Sequence, residues 1–398
     1  MEIVLTWIRA CAERPQPKIS AARWAVRALF FMNGALFATW ASRIPAVQSA
    51  LHLTNGQLGL ALLAMALGAV VAMPVAGAMS ARVGSGWVCR VMAVLYCLAL
   101  PGLALAPNLP VLAVCLFCFG AVHGGLDVAM NAQAVAVEKR FGRSIMSSFH
   151  ALWSLGGMVG AGIGGLVAGA ALSPVAHFFA ASLVLGAMAV ASFGALETEG
   201  GSASTRDRVP LFALPSGGLV ALGGIAFCIM IGEGAMADWS AVYLRSGVGT
   251  GESMASAGYA AFSISMAAGR FLGDTLAARF GPVALVRVGG LIAAFGMAFG
   301  LLSGGAVTAL IGFACVGIGF STVVPMVFSA AGNTPGVSAG VALASVTTLG
   351  YAGFLIGPPS IGFIAQLCGL KLGLGIIVMT SLLASVLSPW VGRGGTRG

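Results

Sequence analysis

Twelve times along this chain an apolar run of about twenty residues is followed by a short polar break, and no other feature limits its fold so much. The runs fall at 23–42, 57–79, 88–106, 111–136, 144–170 and 175–195, then at 216–244, 254–278, 283–302, 305–328, 338–366 and 370–391. Each can carry a helix across a hydrocarbon core about 30 Å thick. In lipid every backbone N–H and C=O must be paired within the protein, which leaves helices as the economical spanning form. Only 8% of residues are charged and 59% are hydrophobic, too few polar side chains to clothe a soluble core. The 59 glycines suit close helix approach in a bilayer. The fold class expected is an all-α, multi-pass membrane protein.

The twelve spans divide into two sets of six. Residues 197–215, ETEGGSASTRDRVPLFALP, form the longest polar interval. A shift of 197 residues lays Arg82-Val83-Gly84 on Arg279-Phe280-Gly281, and Gly156, Gly160 and Gly165 on Gly353, Gly357 and Gly362. Gly34 to Trp40 echoes Gly234 to Trp239 with one gap. The expected organisation is a 1–22 N-terminal segment, a six-helix bundle at 23–195, a 196–215 linker, a second bundle at 216–391 and a 392–398 tail, the bundles related by a pseudo-twofold axis.

The net charge of +9 has a topological reading. If the N-terminus is cytoplasmic, sixteen of the 20 Lys and Arg residues fall on inner segments, three (Arg43, Arg245, Lys371) on outer ones, and Arg270 within a span. That bias makes the charge an orientation signal and excludes a nucleic-acid surface. Both termini are expected in the cytoplasm. No cleavable signal peptide is expected, because Ile3 to Trp7 is short and its basic residues follow it. Most of the eight cysteines sit in apolar runs, and Cys115-x-x-Cys118 has no second pair at metal-ligand spacing, so packing is expected and neither metal nor cofactor. No GxxxxGK[ST], HExxH or GxSxG motif occurs, which argues against ATP as the driving force and against an enzyme.

The residues that stand out are ionisable ones inside the spans. In GAVHGGLDVAMN (120–131), His123, Asp127 and Asn131 are spaced i, i+4, i+8 and form one polar stripe. A carboxylate there either lines a solute or proton path or pins helices together. Glu233 lies within the seventh span. Asp238 is about 140° around the same helix. Trp239 and Tyr243 beside it suit an outer aromatic belt, which would make Asp238 interfacial. His150 shares a face with Ser147, Ser154 and Gly157, and its level in the fifth span is close to that of Asp127. Arg270 and Asp274, at i and i+4, read as a self-neutralising structural pair.

Taken together, these features resemble the major facilitator superfamily over essentially the whole chain. The superfamily's loop signature, roughly G-x-x-x-D-R-x-G-R, is matched by Gly77, Arg82 and Gly84 after span 2, with Ala81 at the acid position. After span 8, Arg279 and Gly281 are kept, with Ala278 at the acid position and Asp274 beside Gly273 one turn early. NGALFATWASRIPA (33–46), GGLDVAMNAQA (124–134) and GEGAMADWSAVYL (232–244) look most like the branch that holds fucose permease and uncharacterised bacterial inner-membrane members. Gly160 to Gly165 resembles the antiporter signature G-P-x-x-G-G with Ala161 in place of its proline, which counts against efflux.

The resemblance implies a bacterial inner-membrane transporter working by alternating access as a monomer. Its partners would be a small polar solute, such as a sugar, and protons. Asp127, His150 and Glu233 are the candidates for proton coupling, and Asn33, Asn131 and Glu233 for solute contact. In that fold spans 1 and 7 meet near the outer mouth, making Arg43 and Asp238 a candidate gate pair, against the alternative of a solvated rim arginine. The runner-up function is a proton-coupled antiporter exporting drugs or metabolites.

Overall fold

A computed structural model describes residues 17–142, 145–197, 217–334, 337 and 339–393. Most of the 196–215 linker, residues 1–16 and the end of the tail lie outside the described residues. The chain is helical throughout its spans: α1 (Ile19–Ala50), α2 (Asn55–Val83), α3 (Ser85–Leu105), α4 (Leu109–Phe141), α5 (Met146–Gly169), α6 (Pro174–Ser192), α7 (Gly218–Val242) and α8 (Glu252–Phe280). There follow α9 (Pro282–Ser303), α10 (Ala306–Phe320), α11 (Val323–Gly332), α12 (Ala339–Cys368), α13 (Leu370–Leu387) and the short α14 (Pro389–Arg393). A break at Ser321 and Thr322 divides one expected crossing into α10 and α11.

Ten of these segments are long and apolar enough to cross a membrane by length and hydropathy alone. The other two crossings are α1 and α8, 32 and 29 residues long, each with charged or amide side chains along its length. Several helix ends are fixed locally. Asn108 and Ser173 cap α4 and α6 by accepting from Val111 N–H and Ala176 N–H, each with proline in the first turn. Gly142 closes α4 in the left-handed region, its N–H donating to the Glu138 carbonyl.

The repeat is visible in how the helices touch. A β-carbon on Gly120 of α4 would run into the Met65 carbonyl of α2; 197 residues on, one on Gly317 of α10 would run into the Phe262 carbonyl of α8. Gly156 of α5 lies in the same way on the Phe31 carbonyl of α1, and Gly353 of α12 on the Phe227 carbonyl of α7. Each half uses glycine at matching depths to bring two backbones together, the packing mode available where lipid removes a hydrophobic drive. Gly84 (φ 88°) and Gly281 (φ 78°), the turn glycines of the two loop signatures, share the conformation that a side chain disfavours.

The contacts sort into two compact units that do not divide at the chain's midpoint. One comprises Met1–Trp40, Ala64–Gly160 and Ser173–Arg206; the other comprises Ala41–Leu63, Ala161–Leu172 and Asp207–Gly398. Within the second, the end of α5 packs on α8 through Gly165 against Ser253 and Ser256, and the start of α2 packs on α12 through Gly59 and Asn55 against Gly362. Those two contacts are also related by the 197-residue shift, with the helices exchanged between halves. Of the ten apolar crossings that of α7 is the most enclosed, with 72% of its apolar window buried, against 11% for α6. Large exposed side chains such as Leu166, Leu183, Phe271 and Leu302 belong to faces suited to lipid.

One side-chain expectation fails. Trp239 and Tyr243 are fully buried, and so is Trp40, so none of them forms an aromatic belt. The reason is their place on α1, on α7 and on the turn that directly follows α7, whose sides are covered by neighbouring helices. Among the cysteines, Cys89, Cys97 and Cys228 are packed inside, while Cys118 and Cys368 are exposed.

Candidate functional site

In the first unit, polar and aromatic residues converge from α1, α3, α4 and α5. Close contact between α1 and α5, through Gly34 and Gly156, lets the Trp153 indole N–H donate to Asn33 Oδ1 at 2.9 Å. Asn33 is fully buried, and its Nδ2 has no partner among the described residues. One turn along α1, Phe37 stacks on the His123 ring at 5.3 Å and lies 6.3 Å from Trp153. Tyr96 of α3 covers another side of His123 at 5.4 Å. His123 Nδ1 is buried without a partner among the described residues.

Asp127 follows one turn below, half-buried. Asn131 Nδ2 donates to its backbone carbonyl at 2.8 Å and to its Oδ1 at 3.3 Å. No cation pairs with Asp127 among the described residues. The stripe read from the sequence is therefore real between Asp127 and Asn131. His150 sits elsewhere on the α1 surface, its ring edge-on to Phe30 at 5.2 Å.

The second unit holds a different arrangement. Glu233 Oε1 of α7 lies 3.9 Å from Arg270 Nη2 of α8, within ion-pair range and outside hydrogen-bond range. Arg270 was expected to be neutralised by Asp274 on its own helix; the carboxylate beside it comes from the neighbouring helix, and the Asp274 side chain lies outside the described residues. Tyr259 of α8 is also buried.

Arg43 departs from the expected pairing. The residue is 2% exposed, and its guanidinium donates from Nη2 to the Leu172 carbonyl at 2.8 Å and lies 3.6 Å from Glu252 Oε2. Glu252, in the first turn of α8, takes the place given to Asp238, which is buried in α7. The Leu172 carbonyl is presented by a turn in which Ala171 adopts φ 56°, a conformation usually left to glycine. Glu252 was missed in the sequence; the signal that could have found it is an acidic residue in the first turn of a helix.

The loop-signature glycines shape turns, while Arg82 and Arg279 are exposed, Arg279 lying over the Phe280 ring. Gly77 and Gly273 are packing positions against Val128 and Thr322. Near the first copy, the end of α6 is stapled to α3 and α4. Gln133 donates to Ser85 Oγ and the Glu197 carbonyl, the Glu197 N–H donates back to Gln133, and Arg140 pairs with the Glu197 carboxylate at 2.6 Å. Gln133 and Glu197 were missed in the sequence, since neither belongs to the loop signature.

Comparison with known proteins agrees with this architecture. The Major Facilitator Superfamily profile matches residues 25–358. The uncharacterised transporter y4wD of Sinorhizobium fredii is 38% identical over 92% of this chain and 96% of its own. An uncharacterised MFS-type transporter of Yersinia pestis is 39% identical over 95% of this chain and 97% of its own. The crystal structure of a bacterial homologue of the human lysosomal transporter Spinster, inward-facing and unoccupied, superposes with a TM-score of 0.74 at 15% identity, covering 96% of this chain and 98% of that one. The family and these relatives are transporters, and the chain is accordingly a multi-pass membrane transporter. The chain belongs to the major facilitator superfamily.

Proposed function

We propose that the chain is a proton-coupled carrier of a small polar solute with a ring face, of the sugar type, in the bacterial inner membrane with both termini cytoplasmic. The observation that carries this reading is Asp127: a half-buried carboxylate within a span, hydrogen-bonded by Asn131 and without a cation among the described residues. Such a group is costly in a membrane interior unless something that passes it balances its charge. A proton or a proton with solute fills that role. The nearby Phe37, His123 and Trp153 rings offer flat apolar faces, while the Asn33 and Asn131 amides offer hydrogen bonds to hydroxyls. Glu233, which has Arg270 for a neighbour, is the candidate solute and proton group of the second half, and His150 of α5 is a further titratable group in the first. Alternating access moves the 23–195 and 216–391 halves, and Arg43 with Glu252 latches one end of the path.

The test is a panel of sugars and cyclic polyols offered to proteoliposomes under an imposed proton gradient. Asp127→Asn keeps shape and hydrogen bonding but removes the ionisable group. It is expected to abolish gradient-driven accumulation while leaving solute exchange. Accumulation equal to wild type in Asp127→Asn would assign the residue a structural role, and extrusion of solute by wild type would favour the antiporter.

A further inference from the structure

The N-terminal end of α1 carries two arginines that the transport reading does not use. Arg23 and Arg27 are one helical turn apart, so both lie along the same side of the helix. Arg23 stacks over the Phe141 ring, its Cζ 4.0 Å from the ring centroid, and Arg27 stacks over Trp24 at 4.9 Å. The Nε of each is buried and without a partner, and neither has a hydrogen bond or a carboxylate among the described residues. The two like charges also repel one another.

Each ring holds its guanidinium in place, and the Nη groups, which unlike Nε are not buried, are left to donate to a phosphate. An anion bound between the two would relieve their repulsion and satisfy donors that the protein leaves open. Trp24 tells where that anion comes from. It is 66% exposed beside Arg27, at the end of a membrane-spanning helix, where indole rings settle among lipid headgroups. We propose that Arg23, Arg27 and Trp24 form a seat for the phosphodiester of an anionic phospholipid at the N-terminal end of α1. The aromatic ring lies against the glycerol and upper acyl region, and the guanidinium edges take the phosphate.

The test uses the full-length protein in detergent, equilibrated with equal amounts of phosphatidylglycerol and phosphatidylcholine and examined by native mass spectrometry. Wild type is expected to retain phosphatidylglycerol in clear excess. Arg23→Gln with Arg27→Gln should bring the ratio down towards parity, by about fivefold for each basic residue lost. Arg23→Lys with Arg27→Lys should fall between, because lysine keeps the charge but not the planar fork. Equal retention in wild type and the double glutamine variant would overturn the proposal. So would thermal stabilisation by inorganic phosphate alone through the same two arginines, which would assign the site to a small free anion. Should the glutamine variant fail to fold, tryptophan fluorescence of wild type and Trp24→Phe decides. Brominated phosphatidylglycerol should quench a Trp24-dependent signal more strongly than brominated phosphatidylcholine, and equal quenching by the two lipids rejects the seat.

Discussion

The Arg43 guanidinium lies 3.6 Å from the Glu252 carboxylate, joining the C-terminal end of α1 to the first turn of α8. The arginine is almost entirely buried, while the Glu252 side chain is 38% exposed, so solvent weakens the charge term. The 2.8 Å bond to the Leu172 carbonyl adds a third chain segment to the same guanidinium.

If this contact latches one end of the transport path, Glu252→Gln should speed solute exchange and change thermal stability little, by about 1 kcal/mol or less. Arg43→Gln should cost more, since the Leu172 carbonyl then loses its donor. Exchanging the two charges should recover transport better than either single reversal. A double-mutant cycle in transport rate that is strictly additive would show that the two do not act together.

Glycine position should matter according to what lies opposite. Gly120→Val and Gly317→Val each force a side chain into a facing carbonyl, with an expected loss of about 1–3 kcal/mol or failure to assemble. Gly162→Ala and Gly375→Ala meet nothing within 4 Å and should leave the melting temperature unchanged or slightly raised. Thermal unfolding of the four purified variants checks this. Equal effects at all four sites would refute the packing role.

Trp153→Phe retains a ring but removes the donor to a fully buried amide oxygen. Leaving Asn33 Oδ1 without its partner should cost about 1–3 kcal/mol. Adding Asn33→Leu should recover part of that loss, because both ends of the hydrogen bond are then gone. The melting temperatures of the two singles and the double give the coupling, and a fully additive double would show that the bond contributes nothing.

Arg270→Gln should lower expression and transport by stranding Glu233, whereas Arg270→Gln with Glu233→Gln should restore folded protein. Monodispersity on size exclusion reads the folding part. No rescue in the double variant would mean that the arginine acts through a different contact.

Span number, the repeat and the glycine positions were legible in the sequence because a bilayer imposes a one-dimensional requirement. Each crossing must be long and apolar, and the 197-residue shift that aligned Gly156 with Gly353 returned as matched contacts with Phe31 and Phe227. The Asp127–Asn131 stripe was also legible, since residues four apart on one helix meet whatever surrounds them. Partner choice between helices was not. Whether Arg43 meets Asp238 or Glu252, whether Arg270 stands beside Glu233, and whether Trp239 faces lipid or core all depend on which helices lie side by side and how each is rotated. Side chains separated by 37 residues along the chain, as Arg270 and Glu233 are, acquire a common environment only when α7 and α8 pack, and that rotation is decided by the contacts of every other helix.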